Sequence, residues 1–130
     1  MKVKQYRYWQ KYIDICRGML LLGQWKTILA KDASDNTALA EVSVTEKRRV
    51  AHIYLCNHWE HQDPKEQREA ICHELVHLHL HDLSDYATKV AKDSPGPVAD
   101  ERSDILLKFE EIAVDQISRV LAPTLPLPKP

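Results

Sequence analysis

The stretch AICHELVHLHLH, Ala70–His81, decides how the rest of the chain is read. It places four histidines and one glutamate within twelve residues. His73 and His77 are four apart, so on a helix both imidazoles stand on one face, one turn apart, where they can chelate one ion. Glu74 follows His73 and is angled toward the open side of such an ion, where it can take a proton from an activated water. Ile71, Leu75, Val76, Leu78 and Leu80 are apolar, so this helix is expected to be buried on most sides. Histidines on a buried helix need polar partners, and a metal supplies one. His79 points away from the His73/His77 face and is read as solvated. His81 lies one turn beyond His77, where it can line a cleft, but it too is read as solvated. Cys72 falls elsewhere on the wheel and is read as core rather than as a nucleophile.

The surrounding sequence frames that helix. Asp63 suits the N-cap and Pro64 the first helical position, and Glu66 completes a capping-box pattern. The expected span is Pro64 to about Leu83. Upstream, residues 4–22 read as an amphipathic helix with Trp9, Tyr12, Ile13, Cys16 and Leu20 on one face, ended by Gly23. Three strand-like runs follow: QWKTILAK, ALAEVSVTE and RRVAHIYLCN, with turn chemistry in SDNT at residues 34–37. The third run places Ala51, Ile53 and Leu55 on one face, with Val50, His52, Tyr54 and Cys56 on the other. Short connections predict an antiparallel meander. Downstream, KDSPGPVAD is a loop, because Pro95-Gly96-Pro97 cannot continue a helix. A last helix is expected from Asp100 to Leu121. The fold class is therefore α+β: an N-terminal helix, a small three-stranded, mostly antiparallel sheet, the histidine helix and a C-terminal glutamate helix. Residues 1–122 form a single domain, and 123–130 are a proline-rich, extended tail.

The totals fit a modest single core. The chain has 130 residues, 44% hydrophobic and 28% charged, with a net charge of −1. That balance predicts no nucleic-acid or membrane partner. Three cysteines with no CxxC pair argue against a disulfide framework and a structural zinc knuckle. Asp14 and Arg17 interrupt the only apolar run near the N-terminus, so no signal peptide is expected and the localisation is read as cytoplasmic.

Two histidines do not hold a catalytic zinc, and a third protein ligand is needed. No histidine follows His81. The extended metzincin pattern requires glycine and histidine where this chain has Leu80 and Leu83. A downstream carboxylate remains, in FEEIAVDQISRVL. On a helical wheel, Ala113, Ile117, Val120 and Leu121 define the apolar face. Glu110 falls inside that arc, and Glu111 falls opposite it with Asp104, Asp115 and Ser118. The residues alone leave both glutamates open: a buried Glu110 needs a partner more, whereas Glu111 can be a plain solvent-facing residue.

HELVH followed by a helix bearing Glu111-Ile112-Ala113-Val114-Asp115 resembles the gluzincins, whose glutamate ligand is followed four residues later by an aspartate. The layout over roughly residues 45–122 is similar to small phage and prophage metallopeptidases and to the catalytic part of ImmA/IrrE-like proteins. The resemblance implies Zn²⁺ held by His73, His77 and Glu111, with Glu74 as general base. It also implies that Asp115 orients a ligand histidine from behind. Glu110 stands where the thermolysin-type pattern has asparagine, and Glu111-Ile-Ala-Val-Asp departs from the E-x-x-A-N of ImmA/IrrE-like chains. By the same resemblance, RRVAHIYLCN is expected to pair with an extended peptide. Tyr86 is the first candidate for an oxyanion donor, with Tyr54 and His52 behind it. The implied function is limited proteolysis of an intracellular protein or peptide. The competing expectation is a non-catalytic metal-binding module that regulates a partner.

Overall fold

A computed structural model describes residues 1–34, 38–45 and 48–129. Among them, three α-helices and a three-stranded sheet give an α+β architecture. Helix α1, Val3–Met19, buries Trp9, Tyr12, Ile13 and Cys16, the three- and four-residue spacing of one apolar face. Its end departs from expectation. Leu21, not Gly23, takes the left-handed conformation at φ 58. Leu22 N–H donates to Arg17 O at 3.0 Å and Leu21 N–H to Gly18 O at 3.1 Å, so the chain turns before the glycine is reached.

Strands β1 (Lys26–Leu29), β2 (Ala40–Thr45) and β3 (Val50–Leu55) are ordered β1-β3-β2. This overturns the meander. β2 pairs β3 antiparallel, with Ala40 opposite Leu55, but β1 pairs β3 parallel, with Lys26 opposite Val50. The β2–β3 connection is short and makes a hairpin. The β1–β2 connection is long enough to carry the chain across to the other edge. Of the SDNT turn, only Ser34 lies within the described residues. β3 alternates as read from the sequence, with Ala51, Ile53 and Leu55 buried. Gln10 of α1 closes the β1 edge: Leu29 N–H donates to its amide oxygen at 2.7 Å, and its amide nitrogen donates to Thr27 O at 3.0 Å.

Helix α2, Pro64–Lys92, begins where expected, with the Asp63 carboxylate accepting from Lys65 N–H at 2.8 Å. Glu66 does not complete a capping box. The helix runs well past Leu83, because nothing breaks it before Pro95-Gly96. Helix α3, Pro97–Leu121, starts earlier than expected, with Pro97 at its first turn after Gly96 at φ 54. Its buried face also differs from the wheel reading. Val114 and Ser118 are fully buried, while Ile117 and Val120 are 40% and 74% exposed. The face was set by what α2 presents: Cys72 Sγ donates to Ser118 O at 3.7 Å. The tail begins in a 3-10 turn, Ala122–Thr124, extends from Leu125 and is docked. Leu125 is buried, Tyr12 O–H donates to Pro126 O at 2.6 Å, and Lys129 N–H donates to the Tyr8 hydroxyl at 2.6 Å. No helix among the described residues is long and apolar enough to cross a membrane.

Candidate metal centre

The α2–α3 packing turns two glutamates of α3 toward the histidine face of α2. His73 Nε2 lies 3.4 Å from Glu111 Oε2, and His77 Nε2 lies 3.2 Å from Glu111 Oε1. The two imidazoles sit 5.1 Å apart, centroid to centroid, with planes at 71°. One ligand atom from each of His73, His77 and Glu111 falls within 4.8 Å of the others. Among the described residues this is the only such group of three or more that can hold a metal. Both histidines are part-buried, whereas Glu111 is exposed and approaches from the solvent side.

Glu110 takes a different place. Its Oε1 lies 3.4 Å from His77 Nδ1, on the ring edge away from Glu111. A carboxylate there holds the proton on Nδ1 and leaves the Nε2 lone pair free to ligate. Asp115, expected in that supporting role, pairs instead with Arg119 at 3.1 Å. The two adjacent glutamates thus divide the work between ligand position and support.

Glu74 is buried at 9% exposure and lines the same cleft. Burial pushes its carboxyl up to about 8, and the carboxylates of Glu111 and Glu41 push in the same direction. The backbone amide of Val42, which donates to the carboxyl, opposes them. The cleft holds about 500 Å³ and is walled by Ala40, Glu41, Val42 and Val44 of β2 opposite His73, His77 and His81 of α2. Its rim therefore includes His81, whose ring also stands edge-on to Trp25 at 5.5 Å.

The other sequence candidates lie elsewhere. Tyr86 is 68% exposed and does not line the cleft. His52 and Tyr54 sit on the central strand, away from the cleft walls. His79 has a ring nitrogen 2.7 Å from Leu20 O, tying α2 to the end of α1. Cys72 is fully buried, and burial pushes its thiol up to about 11, as befits a core residue. A larger cavity of about 640 Å³, near Tyr6, Arg7, Lys31 and Cys56, brings no ligating set together.

Sequence reasoning missed three contributors. Glu41 and the Val42 amide reach Glu74 across a tertiary contact that no local pattern announces. Glu110 reads from the sequence only as a rival ligand. The signal was its adjacency to Glu111, because neighbouring positions on a helix can flank one imidazole. No protein family, no curated protein and no solved structure matches the chain.

Proposed function

We propose that this chain is a zinc-dependent metallopeptidase of the gluzincin kind that cleaves an intracellular protein or peptide at limited positions. The observation that carries this reading is the convergence of His73, His77 and Glu111 beside the buried Glu74. Two imidazoles and one carboxylate are a donor set of catalytic zinc, with a fourth position left open. Tetrahedral ligands at about 2.0–2.2 Å from a zinc ion stand roughly 3.3–3.6 Å from one another. His73 Nε2 and His77 Nε2 each meet a different oxygen of Glu111, at 3.4 and 3.2 Å, and one ligand atom from each of the three residues lies within 4.8 Å of the others, so a small side-chain rotation brings the set onto one ion. A zinc ion held by His73, His77 and Glu111 would supply a Lewis acid able to polarise a carbonyl and acidify water.

The chain's own residues would supply the rest. Glu74, ionised once a cation beside it offsets the charges of Glu111 and Glu41, takes the proton of the attacking water and delivers it to the leaving amine as the C–N bond breaks. The Val42 amide fixes the carboxyl for that transfer. Glu110 orients His77. The peptide is assigned to β2 rather than β3, because β3 is paired on both edges. Leu39 O accepts from Cys56 N–H at 2.9 Å, so in this antiparallel pair the backbone groups of alternate residues Leu39, Glu41 and Ser43 face β3. Those of Ala40, Val42 and Val44 face the open edge and the cleft, where the Val42 amide already meets Glu74 and the groups of Ala40 and Val44 remain for a peptide. An extended peptide can add to that edge.

Elemental mass spectrometry of the purified protein beside Glu111→Ala tests the metal, and a peptide-library digest beside Glu74→Gln tests the chemistry. The expected result is about one zinc per chain, lost in Glu111→Ala. Cleavage should be present in the native chain and absent in a Glu74→Gln protein that still binds zinc. Zinc without cleavage would leave a metal-binding interaction module, and absence of both would remove the reading.

A further inference from the structure

A second cavity opens directly off the metal cleft, toward the N-terminus of α2. It holds about 320 Å³ and shares His73, Glu74, Ala38 and Ala40 with the cleft. That volume is near the low end of the range for binding sites, about 300–1,000 Å³, and suits one side chain rather than a larger ligand. Its walls are short and apolar: Ala38, Leu39, Ala40 and Ala70. Its outer rim carries two carboxylates, Glu66 and Glu69, one turn apart on α2. Among the described residues no lysine or arginine lines it.

The rim charges are available. Glu66 makes no hydrogen bond or ion pair among the described residues, having failed to close the capping box its position suggested. Glu69 meets Arg119 only at 3.9 Å, and Arg119 is closer to Asp115, at 3.1 Å. An open, mostly apolar groove edged by carboxylates matches one class of side chain: a long aliphatic stem with a cationic head. An acidic side chain would be repelled there, and a purely apolar one would leave both carboxylates without a counter-charge.

We infer that this cavity is a side-chain subsite selecting lysine or arginine in the residue next to the cleaved bond, with Glu66 and Glu69 as the residues that determine specificity. The inference rests on the metallopeptidase reading and adds the class of substrate. The aliphatic stem lies on Ala38, Ala40 and Ala70, and the cation reaches the two glutamates at the mouth. Leu39 narrows the wall on the strand side.

Hydroxamate-capped dipeptides test this without requiring turnover. The hydroxamate anchors on zinc, and the adjacent side chain is arginine, leucine or glutamate. Affinities for the zinc-loaded full chain are measured by calorimetry. The arginine probe should bind up to about fivefold tighter than the leucine probe, the ratio expected of ion pairs with exposed carboxylates. The glutamate probe should bind weakest. In Glu66→Gln/Glu69→Gln, both on the exposed face of α2, the arginine preference should vanish while the leucine probe keeps its affinity. Equal or tighter binding of the leucine probe to the native chain would overturn the subsite. So would an arginine preference that survives the double substitution. Failure of every probe to bind, with no zinc retained, would instead overturn the metal centre, and the subsite with it.

Discussion

His77 is held between two neighbouring glutamates that touch opposite ring nitrogens. Glu111 faces Nε2 and Glu110 faces Nδ1. A metal-ligating histidine gains basicity and a fixed ring orientation when its second nitrogen donates to a carboxylate. Glu110→Ala is therefore expected to weaken zinc affinity by about 10–100-fold, measured by competition with a chromogenic chelator. Asp115→Ala should leave that affinity unchanged, because Asp115 pairs with Arg119. If Asp115→Ala weakened zinc and Glu110→Ala did not, the assignment of support would be reversed. The His73/Glu74/His77 face was legible in the sequence because four-residue spacing on one helix is a local property. The division between Glu110 and Glu111 was not. It depends on the rotation of α3 against α2, and that rotation was set by the Val114 and Ser118 packing face rather than by the apolar count.

At the scale of elements, local signals placed the starts of α1 and α2 well and their ends poorly, while for α3 the end at Leu121 was legible and the start was not. Asp63-Pro64 marked the start of α2 because capping chemistry lies within four residues. The end of α1 was misplaced because Leu21 occupies a left-handed position that usually draws glycine. For a residue with a Cβ that conformation costs roughly 1–2 kcal/mol. Leu21 is also largely exposed, so its side chain contributes little packing. Leu21→Gly should accordingly raise stability by about 1 kcal/mol, read as a higher thermal midpoint. A lower midpoint would mean that the leucine makes a contact worth more than the strain. The parallel β1–β3 pairing was illegible for a different reason. Alternation reports which face of a strand is buried, not which neighbour it pairs with. The outcome matters for function because it leaves β2 as the strand with an open edge beside the cleft. Val44→Pro removes one donor on that edge while leaving the pairing with β3 intact. It should abolish or strongly reduce peptide cleavage with zinc content unchanged. Undiminished cleavage would show that the peptide does not lie on β2.

Across the whole molecule, three elements bring negative charge to one place. Glu74 comes from α2, Glu111 from α3 and Glu41 from β2, and burial of Glu74 adds to their mutual repulsion. Without a cation this arrangement opposes folding once the carboxyls ionise. The folded-state value for Glu74 is about 8, against 4.5 for the free side chain. Between those values the native chain holds a proton that the unfolded chain has released, so stability falls as pH rises through the window. The loss begins near pH 4.5 and is complete above about pH 8, and it amounts to a few kcal/mol in order of magnitude. Chelator-treated protein should therefore show a denaturant midpoint that declines from pH 5 to pH 8. Glu74→Gln, which cannot ionise, should flatten that decline. Zinc added at pH 8 should recover stability, since a ligand that binds only the native state adds about 4 kcal/mol at a thousandfold excess over its Kd. The recovery should be absent in Glu111→Ala. A midpoint independent of pH in the chelated native chain would mean that Glu74 is not held as its burial implies. The role of poised base would then lose its physical ground even if zinc were bound.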